Sequence, residues 1–456
     1  MRIIKLIKMK RKIFFGITSF MLFSNVAVSQ FIVKDVYFET TGVSNQGIVA
    51  GYTDWAGPYS LWTPENQQVE VIGGIAPGNG VGGQATFSVD GNFLSGTSQG
   101  AVSAEMSRYN VNLNTWQICG SLGFPIDNSF SGGYAISGDG NTVVGNAWAD
   151  TTGGLAYAKS VAWTSGTGII DLGTLFPGRS TRANAINGDG SIIVGWQDFN
   201  GPWKSAVWRK DGQGNYLANQ YLLKDQLGSA SDEFNQLGEC SAISLDGNWI
   251  GGHGDFATDG NPWLWSESDG YVDLGTLSAG AAGYVAAINE NGTKAIGRFQ
   301  VGPWDPELPF IWTEADGMQN LNDYATNVLG IDLGNKQIYS ANGMSPNGQY
   351  IVGYGVDNVT FEYFTYRLSL PGLGLEKKQT MEIAVSPNPT KDHVNISVEG
   401  KVEFQLKDIT GKILKSGQFF NTYDLNMSTL EIGTYILSVM NSENGLNTKP
   451  IKLIKE

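Results

Sequence analysis

The stretch Ala135-Ile136-Ser137-Gly138-Asp139-Gly140-Asn141-Thr142-Val143-Val144-Gly145 returns as Ala185-Ile186-Asn187-Gly188-Asp189-Gly190-Ser191-Ile192-Ile193-Val194-Gly195. In both, an apolar pair leads through Ser or Asn to an Asp-Gly turn, and a short β-branched run ends on glycine. Asp-Gly supplies the positive φ of a tight hairpin turn, and β-branched residues on either side favour strands. Five further copies can be read. They are Val43-Ser44-Asn45-Gln46-Gly47 to Gly51, Phe87-Ser88-Val89-Asp90-Gly91 to Gly96, Ala242-Ile243-Ser244-Leu245-Asp246-Gly247 to Gly251, Ala287-Ile288-Asn289-Glu290-Asn291-Gly292 to Gly297, and Met344-Ser345-Pro346-Asn347-Gly348 to Gly353. Each repeat opens with a β-hairpin, and the closing glycines recur with a period of about 50 residues.

Beyond each closing glycine comes a third strand ending in an aromatic, as in Ser60-Leu61-Trp62, Ser160-Val161-Ala162-Trp163, Ser205-Ala206-Val207-Trp208, Trp263-Leu264-Trp265 and Phe310-Ile311-Trp312. A fourth strand with its turn follows in Ile169-Ile170-Asp171-Leu172-Gly173-Thr174-Leu175 and Tyr271-Val272-Asp273-Leu274-Gly275-Thr276-Leu277. Four strands in such a period fit a β-propeller blade. The seventh copy stops after a third strand at Phe364 to Leu370, and an unpaired strand, Phe31 to Phe38, precedes the first hairpin. Joining them closes a ring and removes an open sheet edge. An open solenoid would need polar capping units, and none is evident. The fold class expected is all-β: a seven-bladed β-propeller over residues 30–375, then a small C-terminal β-sandwich over 376–456.

These repeats resemble the extracellular HAF-type repeats of bacteria, which join an Ala-Ile-Asn-x-x-Gly hairpin, a His-Ala-Phe-like strand and Asp-Leu-Gly-Thr-Leu. The resemblance covers most of residues 40–370. Where that family has His-Ala-Phe, this chain has Ser160-Val161-Ala162-Trp163 or Ser205-Ala206-Val207-Trp208, so no role of the family histidine carries over. The family implies no established chemistry.

All 13 Trp lie before residue 376, and the chain beyond Pro371-Gly372-Leu373-Gly374 turns rich in Lys, Asn, Ile and Thr, which marks a boundary. Period-two alternation in Val394-Asn395-Ile396-Ser397-Val398 makes the tail a half-buried β-sandwich. It resembles the type A C-terminal sorting domain of the type IX secretion system of Bacteroidetes. The residues that carry this are Ser386-Pro387-Asn388-Pro389, Asp408-Ile409-Thr410-Gly411-Lys412 and Gly433-Thr434-Tyr435. The resemblance implies that residues 376–456 engage that secretion machinery and are then removed, leaving the mature domain released or attached to the surface.

At the other end, six basic residues and no acidic one precede an apolar run from Ile13 to Phe23, and Ala27-Val28-Ser29 stands before Gln30. That is a signal peptide, residues 1–29, cleaved between Ser29 and Gln30. No later run reaches the roughly 20 apolar residues of a membrane-spanning helix. The expected location is therefore outside the cell or on its outer surface, reached through the periplasm.

Removing the six N-terminal positive charges takes the net charge from −14 to −20. The tail carries ten lysines and ten acidic residues, so the whole excess falls on residues 31–375. Nucleic acid and anionic membranes are poor partners for such a domain. Cys119 and Cys240 fall in different repeats, where a disulfide is not the favoured arrangement. Two His, His253 and His393, leave little material for a zinc site or a catalytic triad. No metal, cofactor or catalytic residue is assigned.

In a blade whose first strand is innermost, the second-to-third loops and the blade connections leave on one face. Those loops carry Asp54-Trp55, Trp148, Asp198-Phe199, Pro202-Trp203, Asp255-Phe256 and Pro303-Trp304-Asp305. Ring faces beside carboxylates suit a sugar, whose C–H groups stack on aromatics while its hydroxyls bond to Asp. The competing reading is that these aromatics pack between blades. The Ser/Asn-x-Asp-Gly segments read as plain turns, not as Asp-boxes or calcium loops. Arg179 and Arg182 share a connection suited to a carboxylate, and His253 reads as a loop residue. Three function classes follow: a noncatalytic binding or adhesion module for an extracellular polysaccharide or surface protein, a polysaccharide hydrolase or lyase, and a structural surface protein.

Overall fold

The computed structural model describes residues 29–34, 38–77, 83–100, 103–122, 131–149, 157–199, 203–302, 306–371, 383–408, 412–441 and 451–456. Residues 1–28 of the signal peptide, Trp304 and Gly411 lie outside them. The chain divides into two compact units, Met1–Pro371 and Gly372–Glu456. Both are all-β.

The described residues of the first unit form seven small antiparallel sheets, one per sequence repeat. The third shows the full pattern, with Ser131–Ile136, Thr142–Ala149, Tyr157–Thr164 and Gly168–Asp171 side by side. The first, fifth and sixth are likewise four-stranded in chain order. In the second, the innermost strand shrinks to a bridge from Phe87 to Leu94. In the fourth, the outer strand after Lys204–Arg209 is replaced by turns, with isolated bridges from Gln220 to Val207 and from Gly238 to Lys204. The seventh sheet takes its outer strand from the start of the chain: Gln30–Lys34 pairs antiparallel with Tyr363–Ser369. Phe31 packs edge-on to Phe364, with ring centroids 6.2 Å apart.

The seven Gly turns read from sequence are turns, and each glycine has positive φ, from 67° at Gly348 to 81° at Gly47. In Asp139 burial pushes the carboxyl pKa up, but bonds from Ser137 Oγ and from the Asn141 backbone and side chain outweigh it and hold the group below its usual range. That carboxylate is occupied within its own turn. The turns also bond to one another: Asn45 Nδ2 to Val89 O, Val89 N to Gly138 O, Asp139 N to Gly188 O, Gly188 N to Leu245 O, Asp246 N to Glu290 O, Glu290 N to Pro346 O, and Asn347 N back to Asn45 Oδ1. The circuit passes through all seven repeats and returns to its start.

The closing glycine of the repeat has a steric duty. In five inner strands the pairing register skips one residue: Thr41, Tyr134, Asn184, Ser241 and Ala286. A β-bulge of this kind re-aims a side chain. The glycine opposite admits the bulge, because a Cβ on Gly51, Gly145, Gly195 or Gly297 would lie 2.0, 1.8, 1.9 or 1.9 Å from a carbonyl oxygen of the neighbouring strand. No side chain fits at that distance.

The second unit has five strands joined in one hydrogen-bonded network. Its longest strand, His393–Lys407, shifts register between Ser397 and Lys401. The first part pairs with Ala384–Ser386 on the edge where the last part pairs with Gly433–Asn441. Val394, Ile396, Val402, Phe404 and Leu406 share one buried core with Leu437 and Leu453.

Candidate functional site

The five bulged residues all line one cavity of about 430 Å³ in the first unit. Every repeat contributes to its wall: Glu39 and Tyr52 from the first, Gln84 and Tyr134 from the second and third, and Arg182 and Asn184 from the fourth. Glu239, Ser241 and His253 come from the fifth repeat, Tyr284 and Arg298 from the sixth, and Asn342 from the seventh. Most of these residues stand at the start of an inner strand, and the hydrogen-bonded turns follow at its end. Because neighbouring strands are antiparallel, the second-to-third loops leave at the cavity end.

Both guanidiniums in this wall face carboxylates. Arg182 Nη2 lies 3.3 Å from Glu239 Oε1, the same oxygen that accepts from Asn184 Nδ2 at 2.7 Å. Arg182 Nε donates to Asn184 Oδ1 at 2.7 Å. Across the cavity wall, Arg298 Nε lies 2.8 Å from Glu307 Oε1, Arg298 Nη1 donates to Asn342 Oδ1, and Asn342 Nδ2 donates to Glu39 Oε1 at 3.1 Å. Burial raises the Glu307 carboxyl pKa, opposed by Arg298 and the Tyr354 hydroxyl. Burial, with Glu39 nearby, pushes the Tyr52 phenol up to about 12.

His253, read from sequence as a loop residue, stands just outside a strand and lines the cavity. It follows the strand Ile250–Gly252, forms an isolated bridge with Tyr284, and stacks on the Tyr284 ring at 4.7 Å. Burial lowers its pKa below the usual 6.5, with Glu239 opposing and Arg182 and Arg298 reinforcing the shift. The unfolded chain then takes up the proton more readily. This contribution to stability is complete above about pH 6.5 and is lost as pH falls through the folded-state pKa. The drop in melting temperature from pH 7.5 to 5.5 should accordingly be smaller in His253→Gln than in the native chain; an equal drop would remove this role.

The loop residues chosen from sequence divide into two groups. Trp55 is 76% exposed, and Asp54 beside it is exposed as well. Trp203 is 46% exposed and stacks on buried Trp196, with centroids 4.0 Å apart and planes 6° from parallel. Phe256 is exposed on one side and meets Phe234 edge-on. By contrast, Phe199 is half-buried against Phe176, and Trp148 is half-buried. Asp198 faces Arg179 at 3.4 Å. Asp255 is engaged from several sides: Lys204 Nζ lies 2.7 Å away, and its other oxygen accepts from Ala257 N. Arg179 and Arg182 thus meet carboxylates of the protein itself. Cys119 and Cys240 are buried free thiols.

In the second unit, Asn388 clasps the last strand through both amide atoms, giving Nδ2 to Lys452 O at 2.7 Å and accepting from Ile454 N at 2.9 Å. Its neighbours Pro387 and Pro389 both follow cis peptide bonds. Asp408 accepts from Lys412 N, Gly433 pairs with Lys455, and Tyr435 donates its hydroxyl to Glu431 O.

Residues 384–455 match the family model of the secretion system C-terminal sorting domain. This type IX sorting tail implies contact with the secretion machinery and supports export to the cell surface or secretion. No curated protein matches the chain. Among solved structures, oligogalacturonate lyase from Vibrio parahaemolyticus is 13% identical over 75% of this chain and 92% of its own, with a TM-score of 0.45. The β-propeller domain of the Trilobed protease from Pyrococcus furiosus is 9% identical over 73% and 96%, with a TM-score of 0.42. TolB from Acinetobacter baumannii is 12% identical with a TM-score of 0.36; the alignment spans 56% of this chain and 57% of that one. Likenesses at this level transfer no activity. Among the described residues no helix is long and apolar enough to cross a membrane.

Proposed function

We propose that this chain is an exported, noncatalytic binding module for a hydroxyl-rich, glycan-type ligand, built on a closed seven-bladed β-propeller of HAF-type repeats with a sandwich-like sorting tail. Cleavage between Ser29 and Gln30 would free the strand Gln30–Lys34 that pairs into the seventh sheet. The circuit of turn hydrogen bonds supports ring closure.

One observation carries the binding reading: the cavity wall holds guanidinium–carboxylate pairs fixed by side-chain amides. Such pairs present donors and acceptors side by side in set directions, as recognition of a polar ligand requires. Trp55 and Trp203, exposed at the same end, supply stacking faces. Asp54, Trp148, Phe199 and Phe256 belong to the proposed rim, Asp198 and Asp255 serve it by fixing Arg179 and Lys204, and Trp304 remains a rim candidate from sequence alone.

Retention of residues 30–456 on a panel of immobilised polysaccharides tests this. Retention that falls at least tenfold in Trp55→Ala/Trp203→Ala supports the reading. No retention of either protein would rule out a glycan and leave a surface-protein partner or a structural role.

A further inference from the structure

We infer that the cavity is a blind socket with its guanidiniums already paired, which takes the end of a neutral linear oligosaccharide, with a unit further along that chain stacked on Trp203. The inference rests on the glycan reading above and specifies the ligand class and its orientation.

Three observations carry it. First, the lining stops short of the turns. Along Thr181–Ile186 the residues facing the cavity are Arg182 and Asn184, Ile186 is buried, and Gly188, two residues on, enters the closed hydrogen-bond circuit. The inner strands Glu39–Val43 and Ala282–Ile288 run the same course, from lining residues to buried Val43 or Ile288 and then the turn. With the ring of bonded turns taken as its floor, the socket admits a ligand from the loop end, by the terminus of a chain and not by its middle.

Second, the lining holds the ionised side chains Glu39, Glu239, Arg182 and Arg298, and with Glu307 beside Arg298 the carboxylates outnumber the guanidiniums three to two. Each guanidinium already faces a carboxylate, Arg182 that of Glu239 and Arg298 that of Glu307. A uronate or sulfate would add a further anion where both guanidinium charges are already matched by carboxylates. A neutral hydroxyl has no such conflict. It accepts from a guanidinium N–H and donates to a carboxylate oxygen together, which matches the alternation of Arg, Asn and Glu around the wall.

Third, a stacked column leads from the cavity to solvent. Arg182 lies over the Tyr134 ring at 4.6 Å and over Trp196 at 5.5 Å, and Trp203 lies parallel to Trp196. The outer face of Trp203, 46% exposed, continues the line from the wall to the rim. Packing on Trp196 fixes that ring before any ligand arrives, which lowers the entropic cost of stacking a sugar on it.

The test uses residues 30–456 with neutral glucans, mannans and xylans of several linkages, and with alginate and polygalacturonate as acidic counterparts. For the polymer that binds most strongly, equal masses are compared as competitors before and after partial hydrolysis. Socket binding predicts that a neutral polymer is chosen, that competition rises with the number of chain ends, and that Trp203→Ala and Glu239→Gln each weaken it about tenfold. Trp203 is a surface residue, so its variant remains informative if Glu239→Gln misfolds. Preference for the acidic polymers would overturn the inference and keep the glycan reading. Competition that follows mass and not chain ends would overturn end recognition. Binding to no glycan would remove both readings together.

Discussion

Gly195→Ala should lower the unfolding free energy by about 3 kcal/mol, although it adds a single methyl group. The new Cβ would lie 1.9 Å from Arg182 O, well inside contact distance. Either the strand Thr181–Ile186 withdraws, or the bulge at Asn184 is pulled out and the register slips. Both outcomes move Arg182 and Asn184 off Glu239, so ligand retention should fall with stability. Gly212→Ala is the control. A Cβ there has nothing within 4 Å, and the expected change is within about 0.5 kcal/mol. Urea melts of the two variants decide the matter, and equal small shifts would show that the glycine is not needed for the bulge.

The second large effect belongs to Asp255→Ala. Lys204 is 1% exposed, and its ammonium meets Asp255, Gln236 O at 3.0 Å and the Phe256 ring at 4.1 Å. Removing the carboxylate leaves a buried ammonium without a counter-charge, which typically costs about 3–5 kcal/mol. The short helix Phe256–Thr258 also loses its N-cap. Replacing both members, as Lys204→Met with Asp255→Leu, should restore most of the loss, because no charge is then stranded. A single variant within about 1 kcal/mol of the native chain would show that the ammonium reaches other partners.

Much of the architecture was legible because the repeat is written in residues with strong local preferences. Asp139-Gly140 and Asp189-Gly190 allow few conformations other than the hairpin, and one sheet per copy follows. The exceptions have local causes. Residues 210–239 are rich in Asp, Asn, Gly and Ser, whose side chains bond nearby backbone and compete with a ladder; Asp211 and Asp225 do this at Asn215 and Leu227. The fourth sheet loses its outer strand there.

The cavity was far less visible. Sequence alternation assigns Tyr134 and Asn184 to a face by parity, but a bulge shifts parity by one, and nothing in the one-dimensional pattern marks the skipped residue. The closing glycine was the available signal, and its meaning appears only when the carbonyl it faces is known. Glu39, Glu239, Arg298 and Asn342 come from four repeats far apart in the chain, so no spacing links them. Arg182 was singled out for its charge. His253 lay between two glycines and looked like loop. Conversely, Asp198 and Asp255 have the composition of a ligand rim, whereas their first partners are Arg179 and Lys204 of the same chain.

The most direct test of the account is a crystal structure of residues 30–456 with the oligosaccharide selected on the polysaccharide panel. End recognition predicts density for a terminal sugar among Arg182, Glu239, His253 and Asn342, with a later unit of the chain against Trp203. Sugar density elsewhere on the molecule, with the cavity holding only solvent, would contradict it.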